Sequence, residues 1–258
     1  MEQKLLNVNH LSVSYGNHSV LRDVGFSLGC GEFAALLGLN GSGKTTLLRT
    51  ICGLKKADSG GCFVAMKDIF RAHEKQRAHL ISYIPQRHSI VYDISVTDVV
   101  LMGFNGRLRF YQQPGKEQIQ RAFSTMEKLG IYTLRAESFL RLSEGQKQLV
   151  ILARSMVQDT PVMLLDEPDS ALDFVNRHKV LFKIREIIHE DGRCGLITLH
   201  DPNFALQYCD RLLLLSEGNI CGEVNVKSNA SDIKNNLSKI YGRIELLKYK
   251  GGYAMVKG

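Results

Sequence analysis

Eight consecutive residues, Gly38-Leu39-Asn40-Gly41-Ser42-Gly43-Lys44-Thr45, constrain this chain more than any other segment. They fit the pattern G-x-x-x-x-G-K-[ST], a loop that wraps backbone N–H groups around phosphate and therefore needs a buried strand before it and a helix after it. The sequence supplies both. Phe33–Leu37 is an unbroken apolar run ending at Gly38, and past Gly43 the residues Leu47, Leu48 and Ile51 recur at helical spacing, with Gly53 as a stop. The glycines let the backbone close around an anion, and the helix start adds the positive end of a dipole. Lys44 is predicted to reach the β- and γ-phosphates and the Thr45 hydroxyl to bind Mg²⁺. Gly38, Leu39, Asn40, Gly41, Ser42, Gly43 and Thr46 complete the expected nucleotide-binding stretch. Taken without that context, the same letters are a glycine-rich turn capped by threonine.

The rest of the chain reads as α/β. Leu11, Val13 and Tyr15 alternate as in a half-buried, antiparallel strand, whereas Val162–Leu165 and Leu196–Leu199 are short apolar runs typical of parallel strands buried on both faces. Helical periodicity marks Lys147–Gln158 and Asn176–Ile188. Residues 87–140 are rich in helical patterns and poor in strands, broken by Gln113-Pro114-Gly115; a helical subdomain over about 87–160 is expected, inserted into one domain spanning 1–258. Leu212–Leu215, the turn Glu217-Gly218-Asn219 and Ile220–Val226 predict a hairpin, and about 222–258 a short tail.

A hydrophobic fraction of 44% over 258 residues is enough for a core, and no apolar run, Met1–Asn9 included, approaches a membrane span or a signal core. The expectation is a cytosolic chain. Its formal charge of +7 would suit a polyanion, but the basic residues are dispersed. Cys30, Cys52, Cys62, Cys194, Cys209 and Cys221 have no metal or redox spacing and read as reduced, mostly buried small hydrophobes.

Asp166 and Glu167 close a buried run at Leu164-Leu165-Asp166-Glu167-Pro168, the end of a strand at which α/β proteins bind ligands. Asp166 is the predicted Mg²⁺ partner and Glu167 the general base that polarises water for attack on the γ-phosphate. An Asp-Glu-Pro alone is more often a turn; the phosphate loop upstream reverses that reading.

Leu142-Ser143-Glu144-Gly145-Gln146 then makes the chain resemble the ABC transporter ATPases, whose signature is Leu-Ser-Gly-Gly-Gln. Glu144 departs from it; Ser143, Gly145 and Gln146 match. Ser143 and Gln146 also have the spacing of a capping box, and a capped helix start is itself an anion site, which the resemblance assigns to the nucleotide held by a partner subunit. The resemblance runs from Leu5 to the end. It implies a P-loop NTPase core with a mainly parallel sheet, an N-terminal antiparallel β subdomain and the helical insert. It further implies that Tyr15 stacks on adenine, that Gln86 touches Mg²⁺ and the attacking water, and that Asp173 lies in a loop crossing a dimer interface. Asp169, beside that loop, stands where many relatives carry threonine. His200, in Thr198-Leu199-His200-Asp201, matches the histidine that holds the γ-phosphate; by itself it would be structural. His73, His79, His88, His178 and His189 receive no role.

Tyr92–Gly103 looks like the ATPases of iron-siderophore, haem and cobalamin importers, although Phe104 replaces an arginine common there, which leaves molybdate-type and other cargoes open. The implied partners are a second copy or a homologous ATPase subunit, membrane permease subunits and, indirectly, an extracytoplasmic binding protein, at the cytoplasmic face of a prokaryotic membrane. ATP and Mg²⁺ are the implied cofactors, and no nucleic acid is expected. Three rivals remain: a soluble ABC ATPase acting on nucleic acid or ribosomes, a small-molecule phosphotransferase, and a binding module without hydrolysis.

Overall fold

The first strands of the computed structural model alternate because one face is buried and the other is wet; residues 4–86, 90–109, 111–249 and 251–258 are described. The expectations for His88, for 87–89 at the start of the helical insert and for the first residues of Met1–Asn9 fall outside that set. Strand β1 (Lys4–Tyr15) buries Leu6, Val8, Leu11 and Val13 and pairs antiparallel with β2 (His18–Gly29). After β3 (Phe33–Leu37) and α1 (Lys44–Ile51), β4 (Ser59–Val64) joins the free edge of β1, and the two-residue β5 (Lys67–Asp68) follows β4. This gives a four-stranded antiparallel sheet, as the family pattern implies.

Behind it, α2 (Glu74–Ala78) leads into β6 (Ile81–Ile84), and three helices then run without an intervening strand: α3 (Val96–Leu101), α4 (Lys116–Lys128) and α5 (Glu144–Gln158). The chain returns to the sheet through β7 (Val162–Asp166), α6 (Phe174–Glu190), β8 (Cys194–Thr198), α7 (Pro202–Tyr208), β9 (Arg211–Ser216) and β10 (Asn219–Asn225). The six-stranded order is β10-β9-β3-β8-β7-β6, parallel except for β10. Its central strands are continuous apolar runs because both faces are covered. Phe33, Ala35, Leu37, Met163 and Leu165 face the helices, while Ala34, Leu36, Val162 and Leu164 face the antiparallel sheet and α1.

Glu217 and Gly218, both at positive φ (49° and 82°), make the tight turn between β9 and β10. Beyond it, over the expected short tail, lie α8 (Ala230–Tyr241) and the hairpin β11 (Ile244–Tyr249) with β12 (Gly252–Lys257). Asn203, in the first turn of α7, holds that hairpin, accepting from the Met255 N–H at 2.6 Å and donating to the Met255 carbonyl at 3.2 Å. All six cysteines are free thiols; Cys62, Cys194 and Cys209 are buried, but Cys30 is exposed and Cys52 and Cys221 lie between, so half of them depart from the expected burial.

Candidate nucleotide-hydrolysis site

The phosphate loop leaves β3 and enters α1 as the pattern requires. Gly41 and Gly43 sit at φ +80° and +104°, a region open to glycine at little cost. A Cβ at Gly43 would lie 2.9 Å from Leu21, and one at Gly38 2.4 Å from the Leu215 carbonyl, so these two glycines seat the loop on the protein. Gly41 has nothing within 4 Å on that side, and the Ser42 hydroxyl is buried with no hydrogen-bond partner among the described residues. A backbone concavity with an unspent hydroxyl is what an anionic phosphate chain fits. Lys44 turns back on the loop, its ammonium donating to the carbonyls of Gly38 at 2.9 Å and Leu39 at 3.3 Å. Burial lowers its pKa, and the charges of Glu167 and Asp166 oppose that shift.

Opposite the loop, the ends of β7 and β8 bring Asp166 level with Thr198. One oxygen of Asp166 accepts from Thr45 at 3.2 Å and Thr198 at 2.9 Å; the other accepts from the Tyr83 hydroxyl at 3.2 Å. Burial and then the Asp166 charge push the Tyr83 phenol well above its ordinary value, which keeps it a donor. Carboxylate and hydroxyl oxygens side by side are the hard donors Mg²⁺ accepts from a protein when phosphates and water supply the rest, so Thr45 and Asp166 fit the ion. Gln86 does not join them: its amide donates to Oε2 of Glu167.

Glu167 is buried and left-handed, at φ 48°, a strained conformation for a residue with a side chain. Its N–H is held by the Thr198 hydroxyl at 2.8 Å, and Oε2 lies 2.7 Å from Nε2 of the half-exposed His200. The carboxylate is thus gripped by an amide and an imidazole, groups able to align a water with it. Thr198 lies in the His200 motif, but the sequence assigns no role to it or to Tyr83, since nothing local signals that both reach Asp166.

Ser143 caps α5 as the spacing predicts: its hydroxyl accepts from the Gln146 N–H at 3.3 Å and the Gln146 side chain accepts from the Ser143 N–H at 3.0 Å. Glu144 is paired with Lys147 at 2.8 Å on the surface. Gly145 lies against α6, where a Cβ would meet the Asn176 side chain at 3.0 Å, and Asn176 in turn donates to Asp173, the cap of α6. Among the described residues no hydrogen bond joins Ser143, Gly145 or Gln146 to the phosphate loop of the same chain. Tyr15, half-exposed at the end of β1, carries the Lys55 ammonium 4.0 Å from its ring centroid.

A family model described as ABC transporter matches residues 21–170. A Helicobacter pylori ATP-binding protein named for iron chelatin transport is 34% identical over 92% of this chain and 92% of its own length. A hemin import ATP-binding protein of Shewanella denitrificans is 34% identical over 84% and 85%. Among solved structures, a transporter of metal-chelate type in an inward-facing conformation superposes with a TM-score of 0.82 at 27% identity, covering 98% of this chain and 96% of that one.

Proposed function

The chain belongs to the ABC transporter family and is an ATPase of that family; from that premise we propose that Glu167 is its general base and that hydrolysis drives import of an iron chelate or haem. The observation that carries the reading is the placement of Glu167, between Gln86 and His200 and next to the Asp166–Thr45 pair, across from the Lys44 loop. Glu167 takes a proton from the water that attacks the γ-phosphate, His200 and Gln86 hold that water in line, and Lys44 balances phosphate charge. Mg²⁺, held by Thr45 and Asp166, would supply further neutralisation of the phosphate oxygens. The names of the relatives support the cargo class, and they give the nucleic-acid alternative no support.

A second copy completes the site in this proposal. Ser143, Gly145 and Gln146 stand at a capped helix start with no role toward their own loop, so they are offered to the nucleotide of a partner, with Asp173 beside them. Tyr15 stacks on the adenine once Lys55 gives up its ring. The domain reading is likewise a proposal: one ATPase domain with residues 87–160 as its helical part, docked on permease subunits at the cytoplasmic face of a bacterial membrane, served by an extracytoplasmic binding protein. No helix among the described residues is long and apolar enough to cross that membrane.

The test is size-exclusion chromatography of Glu167→Gln protein with and without ATP. An ATP-dependent dimer that Ser143→Arg abolishes supports the shared site. A monomer at every ATP concentration, with wild-type hydrolysis unaffected by Ser143→Arg, rejects it.

A further inference from the structure

Asp169 is two residues past the proposed base and belongs to none of the motifs above, yet it is buried and charged. Its Oδ2 lies 3.2 Å from Nε of Arg177, on the first turns of α6, and its Oδ1 is buried without a hydrogen-bond partner among the described residues. Arg177 reaches two further segments. Its Nη2 donates to the Leu172 carbonyl at 3.4 Å, and its guanidinium stands 5.2 Å from the Phe204 ring centroid. Phe204 is on α7, the helix that opens directly after His200 with Asp201 as its cap. One guanidinium therefore ties the turn that follows Glu167, the loop that ends at Asp173, and the helix that follows His200.

The geometry points to the buried Asp169–Arg177 ion pair as a positioning device that holds Glu167 and His200 in register for ATP hydrolysis. This rests on the reading of Glu167 as the base. Glu167 has a left-handed backbone that must be held from outside, and its carbonyl closes a turn by accepting from the Ser170 N–H at 3.2 Å; Asp169 lies inside that turn. The Leu172 N–H then donates to the Asp169 carbonyl at 3.1 Å, which carries the constraint on to the loop at Asp173. Threonine, the residue of many relatives, could hold neither the charge nor the reach to Arg177. A buried carboxylate left without its cation is expensive, so the pair acts as one unit rather than as two contributions. The titratable groups around Asp169 are Arg177 from α6, Glu167 from its own loop and His200 from the end of β8. Burial raises the Asp169 carboxyl above its ordinary value, and Arg177 opposes that shift.

The experiment is steady-state ATP hydrolysis by the full chain for wild type, Asp169→Asn, Arg177→Met and the double variant, with Glu167→Gln as reference. Fluorescent-nucleotide binding and melting curves are recorded on each protein. The expected result is a kcat at least about tenfold lower in either single variant, KM and nucleotide affinity within about twofold, and a double variant no slower than the worse single. Singles with wild-type kcat, a double that multiplies the two losses, or losses matched by the fraction of unfolded protein would each overturn the positioning role. Wild-type hydrolysis that Glu167→Gln removes and the pair variants leave intact rejects the pair alone. A wild type that does not hydrolyse ATP, or does not respond to Glu167→Gln, overturns the base assignment and the pairing role together.

Discussion

Oε2 of Glu167 and Nε2 of His200 meet at 2.7 Å across the ends of two neighbouring parallel strands. In the proposed mechanism that contact makes them one unit, so their substitutions should not multiply. Glu167→Gln is expected to lower kcat by ~10²–10⁴-fold and His200→Ala by ~10²-fold, with nucleotide affinity nearly unchanged. The double variant should match Glu167→Gln alone. Phosphate release under saturating ATP measures all three, and independent, multiplying losses would separate the two residues.

Thr198 is fully buried and its hydroxyl does two jobs, donating to Asp166 and accepting from the Glu167 N–H. Thr198→Val keeps the shape, removes one of three donors to Asp166 and leaves the Glu167 N–H without the Thr198 hydroxyl, which should cost about 1–3 kcal/mol of stability as well as activity. Thr198→Ser should restore most of both. Urea unfolding followed by hydrolysis assays on the same samples decides it.

Stability should fall on the alkaline side. Burial pushes the Cys62 thiol up to about 12 and Cys52 to about 11, and Cys194 and Cys209 are raised as well. Above the ordinary thiol value of 9.0 the unfolded chain releases these protons while the folded chain keeps them. Their contribution is therefore whole below that pH and is lost as pH rises through the folded values, at up to about 1.4 kcal/mol per pH unit for each thiol. Melting temperatures between about pH 8 and 11 should show the slope, and Cys62→Ala should flatten it; an equal slope in the variant rejects this origin.

Gly103 closes the segment that resembles chelate-importer ATPases, yet its structural reason is local. A Cβ there would stand 2.2 Å from the Arg154 carbonyl and 2.5 Å from Val157, both on α5. Gly103→Ala must push α5 away, and a loss of at least about 2 kcal/mol is expected in urea unfolding. A midpoint equal to wild type would mean that α5 gives way at no cost.

The phosphate loop, the capping box at Ser143 and the carboxylates at the end of β7 were legible because each depends on neighbours in sequence. Strand and helix edges were less so. The strand expected at Leu196–Leu199 is Cys194–Thr198, since Gly195 interrupts the apolar run for a packing reason: a Cβ there would crowd Ile188 and Phe33 at under 3.0 Å. The helix expected from Asn176 begins at Phe174, because the Asp173 side chain caps it and two exposed apolar residues hide the first turn from periodicity. Around the site, Tyr83 and Thr198 converge on Asp166 through the register of β6, β7 and β8, and no spacing within one segment encodes a register between strands. Arg177 stayed invisible for the same reason, since its partners come from three segments. Lys55 over Tyr15 is a side-chain placement that no backbone pattern announces.

The two hydrogen bonds between Asn203 and Met255 give a remote hairpin a hold on the helix that begins just after His200. That hairpin contributes none of the site residues, so its part is that of a splint. Fraying β11 from β12 would slacken α7 first and leave the phosphate loop, anchored on β3 and α1, as it was.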